Sequence, residues 1–293
     1  MILDPNLVHS LVAVADAGTV TDAASSLGYT PSAVSQQISR LESVLGVELL
    51  TPVGRRVELT PQALALVERA PRIFDALEEA VAAVESTSDA VGGTVRIGTF
   101  QSAAVQIVPE AVIAVRDAHP SVDIEVIVQP TAKSIRELES GALDIVLDQE
   151  FQQELNHGKL HRTELVEDRI VVVMPPDHRT PRTIADLSDD TWISPKLSNS
   201  CAAFLFASCQ NAGFQPKVGY WVEDYLLLLK LVESGVGVGI ASAAMAEHIG
   251  AHVDTFDLGH EAVRTIVART RPSAMRPATK AVLQALAGTP FPD

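Results

Sequence analysis

The chain has 293 residues, a formal net charge of -15 and 47% apolar residues, which describes an acidic globular protein long enough for about two domains. Its mean hydropathy is only +0.19 and its apolar runs are short, so we expect no membrane-spanning segment, no secretory leader and a cytoplasmic location. Two cysteines are too few for a disulfide framework. The charge argues, on its face, against a nucleic-acid partner, because a polyanion is usually met by a basic surface.

Three short helices and a hairpin are predicted for the first sixty residues. Apolar residues recur at helical spacing over 7–15, and Gly18 ends that helix because glycine tolerates the left-handed backbone just past a last turn. Thr21 is the expected N-cap of a short alanine-rich helix over 22–27. Thr30 is the expected N-cap of the third helix, followed by a proline at the first helical position.

The third helix has a polar face with the donors and acceptors that DNA recognition needs. Gly46 closes this helix, and short strands over 47–50 and 56–59 then form a hairpin. Two helices joined by a tight turn and followed by a hairpin describe a winged helix-turn-helix. The side chains able to hydrogen-bond base edges or phosphates are Ser32, Ser35, Gln36, Ser39 and Arg40. A solvated polar face on a helical bundle is the alternative.

One long helical pattern follows, from residue 60 to about 88. Its apolar residues fall at alternating spacings of four and three, at Leu66, Ala70, Ile73, Leu77, Ala80 and Val84. That is the a/d seam of helices that pair. Pro71 lies inside the pattern and is expected to kink the helix or remove a hydrogen bond. Ser86-Thr87-Ser88 and Gly92-Gly93 are typical of a linker.

From residue 94 the pattern changes to strands alternating with helices. Strands are predicted over 94–99, 123–128, 144–147, 170–174, 191–193, 218–222, 236–240 and 264–268. Helices are predicted over 104–119, 134–140, 201–212, 225–234, 241–248 and 277–286. This alternation is typical of an α/β domain of about 200 residues, large enough for two lobes.

The residues resemble one family, the LysR-type transcriptional regulators, over essentially the whole chain. In the first half the likeness is carried by Gly18–Ala24, Leu27, Ser32–Ile38, Leu41-Glu42, Leu45-Gly46 and Arg55–Pro61. In the second half it is carried by Val95–Gly98, His119-Pro120, Leu138–Ile145, Gly213–Pro216 and Val232–Val238. The sequence departs from the family pattern at Leu50-Thr51-Pro52, in place of Phe-x-Arg, at Ala63, in place of glycine, and near Ser242, where a proline is absent. The first departure removes a phosphate contact expected of the wing.

The resemblance implies an α+β, multidomain architecture. It comprises an N-terminal winged helix-turn-helix domain (1–60), a long linker helix that dimerises (61–90) and a two-lobed, periplasmic-binding-protein-like α/β effector domain (91–293). Lobe I would comprise 91–164 and 267–293, and lobe II 165–266. The implied function is that of a transcription factor, not an enzyme, which needs no cofactor or metal. A homodimer or homotetramer would bind an operator in double-stranded DNA under the control of a small-molecule effector held between the lobes.

The resemblance also implies the residues of two sites. Those expected on DNA are Thr30, Ser32, Ala33, Ser35, Gln36 and Arg40, with Arg55 and Arg56 from the wing. Those expected around the effector are Phe100, Gln101, Ser102, Thr131, Lys133, Ser198, Asn199, Ser200 and Asp224. Helix N-termini suit a carboxylate, and Lys133 and Lys196 favour an organic anion. Plain N-capping by Ser102, Thr131 and Ser200, and ordinary surface charge on the lysines, are the alternatives.

Two other functional classes remain open. A thiol-redox regulator of the same family would use Cys201 and Cys209, since peroxide-sensing members have two cysteines in a similar region. These two lie about 12 Å apart along a predicted helix, too far for a bridge without unwinding, and buried inert thiols are favoured. A solute-binding protein would share the fold of the effector half, but the helix-turn-helix and the missing leader oppose it.

Catalytic and metal-binding patterns are weak. The glycines of Gly235–Gly239 lack the spacing of a dinucleotide fingerprint, and a strand packed closely by a neighbour is favoured. His157/His161 and His248/His252 have the spacing of a helix-borne metal site, but no third ligand completes either pair.

The acidity extends into the first domain. Residues 1–92 contain five arginines and no lysine against twelve aspartates and glutamates. Residues 31–41, however, contain one arginine and no acid, while acids gather on the first helix and from Glu68 to Asp89. We therefore expect a small neutral-to-positive DNA-binding face, with weak non-specific attraction and a shallow dependence of affinity on salt.

Overall fold

The computed structural model of the chain describes residues 3–53, 56–85, 91–151, 157–158, 160–197, 199–249, 252–260, 262–272 and 275–289. Its first elements are helices α1 (Pro5–Ala17), α2 (Val20–Leu27) and α3 (Pro31–Leu45), and the antiparallel strands β1 (Leu50–Val53) and β2 (Arg56–Leu59). Leu11, Val34, Leu41 and Leu49 are fully buried between the three helices and the hairpin. The predicted winged helix-turn-helix is confirmed.

Two local predictions in this domain are wrong. The N-cap of α2 is Thr19, whose hydroxyl accepts the Asp22 N–H at 3.0 Å, so Thr21 lies inside the helix. The first strand of the hairpin begins at Leu50 instead of Val47. The carboxylate of Glu42 accepts the Leu49 N–H at 2.8 Å, so this backbone group is tied to α3 and not to the hairpin.

The predicted long linker helix is two helices. Helix α4 (Pro61–Val67) ends before residues 68–69, and α5 (Ala70–Glu85) starts after them. Pro71 lies in the first turn of α5, where its missing N–H removes no helical hydrogen bond, so the proline starts a helix instead of kinking one. Helix α5 packs on α1 through Ala70 and Phe74. Of the predicted linker, residues 86–88 lie outside the described residues, and the prediction is wrong for Gly92-Gly93, which begin a strand (Gly92–Thr99).

The second half is an α/β unit, as predicted. Its helices are α6 (Gln101–Gln106), α7 (Val108–Ala118), α8 (Thr131–Glu139), α9 (Ser200–Asn211), α10 (Tyr225–Glu233), α11 (Ala243–His248) and α12 (Pro277–Ala287). Its strands are β3 (Gly92–Thr99), β4 (Ser121–Val128), β5 (Ile145–Phe151), β6 (His161–Met174), β7 (Thr191–Ser194), β8 (Lys217–Trp221), β9 (Gly239–Ser242), β10 (Asp254–Asp257) and β11 (Val263–Thr270). Strand β10 was not predicted, and the helix predicted over 104–119 is divided at Ile107.

Two apolar cores flank a shared pair of strands. The main sheet has the order β10-β6-β11-β5-β3-β4, with β9 also paired to β6. Strand β6 pairs with β11 up to Arg169 and with β9 and β10 from Ile170. One core lies on the β3–β5 side under α7 and α12, and the other contains the second part of β6 with α9, α10 and α11. The space between these two lobes is where the predicted effector residues are expected.

The glycine run 235–239 is a close-packed segment. A Cβ atom on Gly237 would clash with the Thr191 carbonyl oxygen, and one on Gly239 would lie 3.1 Å from that of Ile193. Both carbonyls belong to β7, which approaches the run through the bridge between Trp192 and Val238. Gly237 and Gly239 are therefore explained by backbone packing, as the sequence favoured, and not by a phosphate, whereas Gly235 has a left-handed backbone with φ +75°.

Candidate functional site

The solvent-facing side of α3 carries the predicted DNA-binding residues. Its opposite side buries Val34, Ile38 and Leu41 in the domain core. Among the predicted residues, Ala33 is half-buried, and the exposed ones are Thr30, Ser32, Ser35, Gln36 and Arg40. The helical repeat thus leaves a face of short polar side chains and one arginine available to a groove of DNA.

The first turn of α3 has a geometry suited to a phosphate. Thr30 has an extended backbone and its hydroxyl accepts the Ala33 N–H at 3.2 Å, so it is the predicted N-cap. The first turn contains no acidic residue, and the positive end of the helix dipole therefore faces solvent uncompensated. Tyr29, immediately before the cap, is 52% exposed, and its N–H donates to the Ala24 carbonyl at 2.9 Å. Sequence reasoning missed this exposed phenol.

Polar contacts fix α3 and the wing relative to α1. The Ser10 hydroxyl on α1 donates to the Gln37 side chain on α3 at 2.5 Å. The Val57 N–H of the wing donates to the Gly18 carbonyl at the end of α1 at 3.4 Å. Arg55 lies outside the described residues, and for Arg56 the structure describes only the backbone, in β2.

A buried arginine lies where the two lobes meet. Arg264 on β11 is 1% exposed, and its Nε donates to Asp168 Oδ2 on β6 at 2.8 Å. Its Nη2 donates to the same oxygen at 2.5 Å and to the Ser102 hydroxyl at 2.8 Å. Its Nη1 donates to Gln149 Oε1 at 2.6 Å and approaches Cys201 Sγ at 3.9 Å. We call these five residues the Arg264 cluster; all its members are buried.

The surroundings of the Arg264 cluster keep its guanidinium charged. Burial alone would lower the pKa of Arg264, but the Asp168 carboxylate, with Cys201 and Tyr225, raises it above its ordinary value. The Phe100 ring lies 5.2 Å from the guanidinium carbon, within cation–π range. Burial also raises the pKa of the Tyr225 phenol well above its ordinary value. The cluster is thus a paired, desolvated charge in which every guanidinium nitrogen already has a protein partner.

Gln101 makes a direct bridge between the lobes. Its Nε2 donates to Asp224 Oδ2 at 3.1 Å, and its Oε1 accepts the Tyr225 N–H at 2.8 Å. Asp224 is also the N-cap of α10, since its Oδ1 accepts the Leu227 N–H at 2.8 Å. One side-chain amide at the start of α6 therefore holds the first turn of α10, and we call this contact the Gln101 bridge.

The remaining predicted effector residues lie at the starts of α8 and α9. Thr131 is the first residue of α8, and the Lys133 ammonium lies 3.4 Å from the Glu137 carboxylate. Asn199 is the N-cap of α9, accepting the Cys201 N–H at 2.9 Å, and Ser200 follows it. Ser198 lies outside the described residues. The capping alternative is wrong for Ser102, Thr131 and Ser200, because the N-caps of their helices are Phe100, Pro130 and Asn199.

The cysteines and histidines complete the candidate residues. Cys201 and Cys209 are both buried on α9, and burial raises the pKa of Cys209 to about 12. Neither histidine pair lies on one helix: His161 begins β6, and His248 ends α11. Within the described ranges, no group of three His, Cys, Asp or Glu side chains is arranged to hold a metal ion. No helix in those ranges combines the length and hydropathy needed to cross a membrane.

Two family models match the chain. Residues 5–64 match the bacterial regulatory helix-turn-helix protein, lysR family, and residues 88–289 match the LysR substrate binding domain. The chain belongs to the LysR family. It is therefore a transcriptional regulator with a helix-turn-helix domain and an effector-binding domain, in the architecture that its sequence predicted.

Relatives and solved structures agree with this assignment. The HTH-type transcriptional regulator ShiR of Corynebacterium glutamicum (strain R) is 32% identical over 242 residues, 80% of this chain and 81% of ShiR. GltR of Bacillus subtilis (strain 168) is 26% identical over 284 residues, 94% of each chain. A full-length OxyR variant from Pseudomonas aeruginosa has a TM-score of 0.70 at 16% identity, covering 99% of both chains. CbnR, a LysR family transcriptional regulator, has a TM-score of 0.58 at 19% identity, covering 97% of this chain and all of CbnR.

Sequence reasoning missed most of the Arg264 cluster of this LysR-family protein. Of its members, only Ser102 was predicted at the effector site; Arg264, Asp168 and Gln149 were not. One available signal was a charged residue inside the predicted strand 264–268, because a charge buried in a sheet needs an opposite charge nearby. The partner itself, 96 residues away, could not be named from the sequence.

Proposed function

We propose that this regulator binds its operator as a homodimer or homotetramer, acts in the cytoplasm and is not an enzyme. The domain bounds proposed are 1–60, 61–90 and 91–293, with lobe II at 165–266. The observation that carries the proposal is the exposed polar face of α3 in a chain whose family is DNA-binding. Support for pairing comes from Leu77, Val81 and Val84, which are 43%, 49% and 72% exposed on α5.

For the DNA contacts, we propose that the first turns of α3 enter the major groove. Ser32, Ala33, Ser35 and Gln36 would contact base edges, with Thr30, Arg40, Arg55 and Arg56 on phosphates. Two domains in a dimer would then contact half-sites about one helical turn, or a multiple of it, apart. Tyr29 adds a neutral donor beside the phosphate-facing helix end, which suits a domain that has no lysine.

For control, we propose that a small molecule binds between the lobes and shifts the balance between lobe arrangements. The Gln101 bridge joins residues of both lobes, so it favours the arrangement of the lobes in which that bridge is formed. A ligand that binds an open or reoriented cleft more tightly would shift that balance and change how the paired DNA-binding domains are presented. An organic anion is the proposed ligand class, supported by the N-termini of α8 and α9 and by Lys133 and Lys196.

The test has two arms. A gel-shift with the DNA upstream of the chain's own gene is expected to show a specific complex that Gln36→Ala weakens more than it weakens non-specific binding. A thermal-shift screen of matched carboxylic acids, amides and amines is expected to yield a carboxylate that stabilises the chain by mass action. The absence of a specific complex would overturn the DNA proposal, and stabilisation by amines or amides alone would overturn the anionic class.

A further inference from the structure

Helix α8 lies between the effector cleft and the DNA-binding half of the same chain. Its nine residues span about 13.5 Å at 1.5 Å per residue. Its first turn holds the predicted effector residues Thr131 and Lys133. Its last turns lie near α1 and α5, the helices of the first half. An element with its two ends at two sites is a physical candidate for coupling them.

The first turn of α8 is fixed to the cleft. The Gln129 N–H donates to the Thr99 carbonyl at 3.0 Å, which joins the residues before α8 to the end of β3, directly before Phe100 and Gln101. A Cβ atom on Gly98 would lie 2.9 Å from the Ser134 hydroxyl, so the middle of α8 sits against the β3 backbone with no space between. The segment that carries the Gln101 bridge is therefore joined to the start of α8 by a hydrogen bond and to its middle by close packing.

The last turn of α8 is fixed to the linker helix by Arg271. This buried arginine follows β11, and its Nη1 donates to the Leu138 carbonyl of α8 and to the Leu143 carbonyl, the latter at 3.0 Å. A cation at the C-terminal carbonyls of a helix is favourable. The Nε of the same side chain lies 3.8 Å from Asp75 Oδ1 on α5. Arg271 thus connects the end of α8 to the linker helix.

The charges at the end of α8 also influence a carboxyl group on α1. Asp16, near the end of α1, is partly buried, and this raises the pKa of its carboxyl group although Arg136 of α8 opposes the shift. Burial likewise raises the pKa of Glu139, with His157 opposing the effect and Asp16 adding to it. The end of α8 is therefore within electrostatic range of Asp16 on α1, and Arg271, which binds its carbonyls, lies beside Asp75 on α5.

We infer that α8 transmits the state of the effector cleft to the linker helix within one chain, with Asp75 and Arg271 as positioning residues at its far end. The inference rests on the proposed control by a cleft ligand. Opening the cleft moves the start of α8, the carbonyls at its end move with it, and Arg271 carries that movement to Asp75. By reciprocity, DNA binding must then alter the cleft end of α8.

This reciprocity allows a test without the effector. Amide hydrogen exchange of residues 99–106 and 129–140 is measured in the full chain, with and without a duplex of the chain's own upstream DNA. The duplex is expected to change exchange in both segments by about threefold or more in the wild type. Asp75→Asn should bind the duplex within about threefold of wild type and lose that change. Asp75→Glu, which keeps the carboxylate, and Glu79→Gln, an exposed control on the same helix, should retain it.

The outcomes separate the inference from the function on which it rests. A wild type that binds the duplex without any change in these segments overturns the inference, as does an Asp75→Asn variant that keeps the change. An Asp75→Asn variant that loses DNA binding altogether also overturns it, because the contact would then belong to the DNA-binding fold. A wild type that binds no duplex overturns the proposed DNA function itself, and the inference with it.

Discussion

Neutralising Asp168 tests whether the Arg264 cluster stabilises the effector domain. Asp168→Asn removes the only carboxylate that hydrogen-bonds Arg264 among the described contacts, while Arg264 stays 1% exposed. Breaking a buried ion pair by removing one partner costs about 3–5 kcal/mol, because an uncompensated charge is left in the interior. For a domain of this size, that corresponds to a fall in unfolding midpoint on the order of 10 °C.

A surface pair in the same domain is the matched control. The Arg96 Nε lies 2.9 Å from Glu125 Oε2, but these side chains are 46% and 56% exposed, so Glu125→Gln should cost no more than about 1 kcal/mol. Urea unfolding is followed by tryptophan fluorescence, whose change on unfolding is expected to come mainly from Trp192, which is fully buried beside β9, since Trp221 is already 51% exposed. If Asp168→Asn lowers the free energy of unfolding no more than Glu125→Gln does, the reasoning is refuted.

Three further predictions follow from the described contacts. Arg40→Ala should lower operator affinity and reduce the slope of log affinity against log salt by about 0.9, whereas Gln36→Ala should leave that slope unchanged; equal slopes for both variants would contradict these roles. Burial raises the pKa of Cys209 to about 12, so iodoacetamide should label this thiol at pH 8 about a thousandfold more slowly than a free cysteine. Mass spectrometry measures the labelling rate, and labelling at the rate of a free cysteine would contradict the burial of Cys209. Because the pKa of Asp16 is raised in the folded protein, its carboxylate destabilises the fold at pH values above that pKa and has no such effect below the unfolded value of 3.8. Asp16→Asn should therefore raise the thermal midpoint at pH 7 and leave it unchanged near pH 3. A lower midpoint at pH 7 would contradict the direction of the pKa shift.

Local signals predicted much of the fold. Thr30 and Pro31 determine the start of α3 through bonds within four residues, so the sequence shows them directly. The same reasoning failed at Thr21, because two threonines flank the start of α2 and only backbone geometry selects Thr19. It failed at Pro71 because a proline in a helical pattern ends one helix or begins another, and periodicity does not distinguish the two.

The two sites differ in how far the sequence could define them. The proposed DNA-binding face lies on one helix, so the repeat of α3 alone brings Ser32, Ser35 and Gln36 to the same side. The cleft is built from several separate segments. The predicted helix N-termini indicated some of these segments in the sequence. The pairing of Arg264 with Asp168, however, depends on the register of β11 against β6. Register is a tertiary property, and no short motif reports it.

The exchange of partners along β6 restricts how the cleft opens. Both lobes have strands hydrogen-bonded to this one continuous strand. Strand β11 pairs with its first part, with a register shift between Ile266 and Val267. Translation of the lobes apart would break ladder hydrogen bonds of β6, so we expect the cleft to open by rotation about the segment where β6 leaves β11 at Arg169. Asp168 and Arg264 lie at that segment, so their ion pair is close to the expected rotation axis, where atoms move least. The Gln101 bridge lies farther from this axis, where atoms move more. We therefore expect a cleft ligand to separate the Gln101 bridge while the pair of Asp168 and Arg264 stays joined and buried.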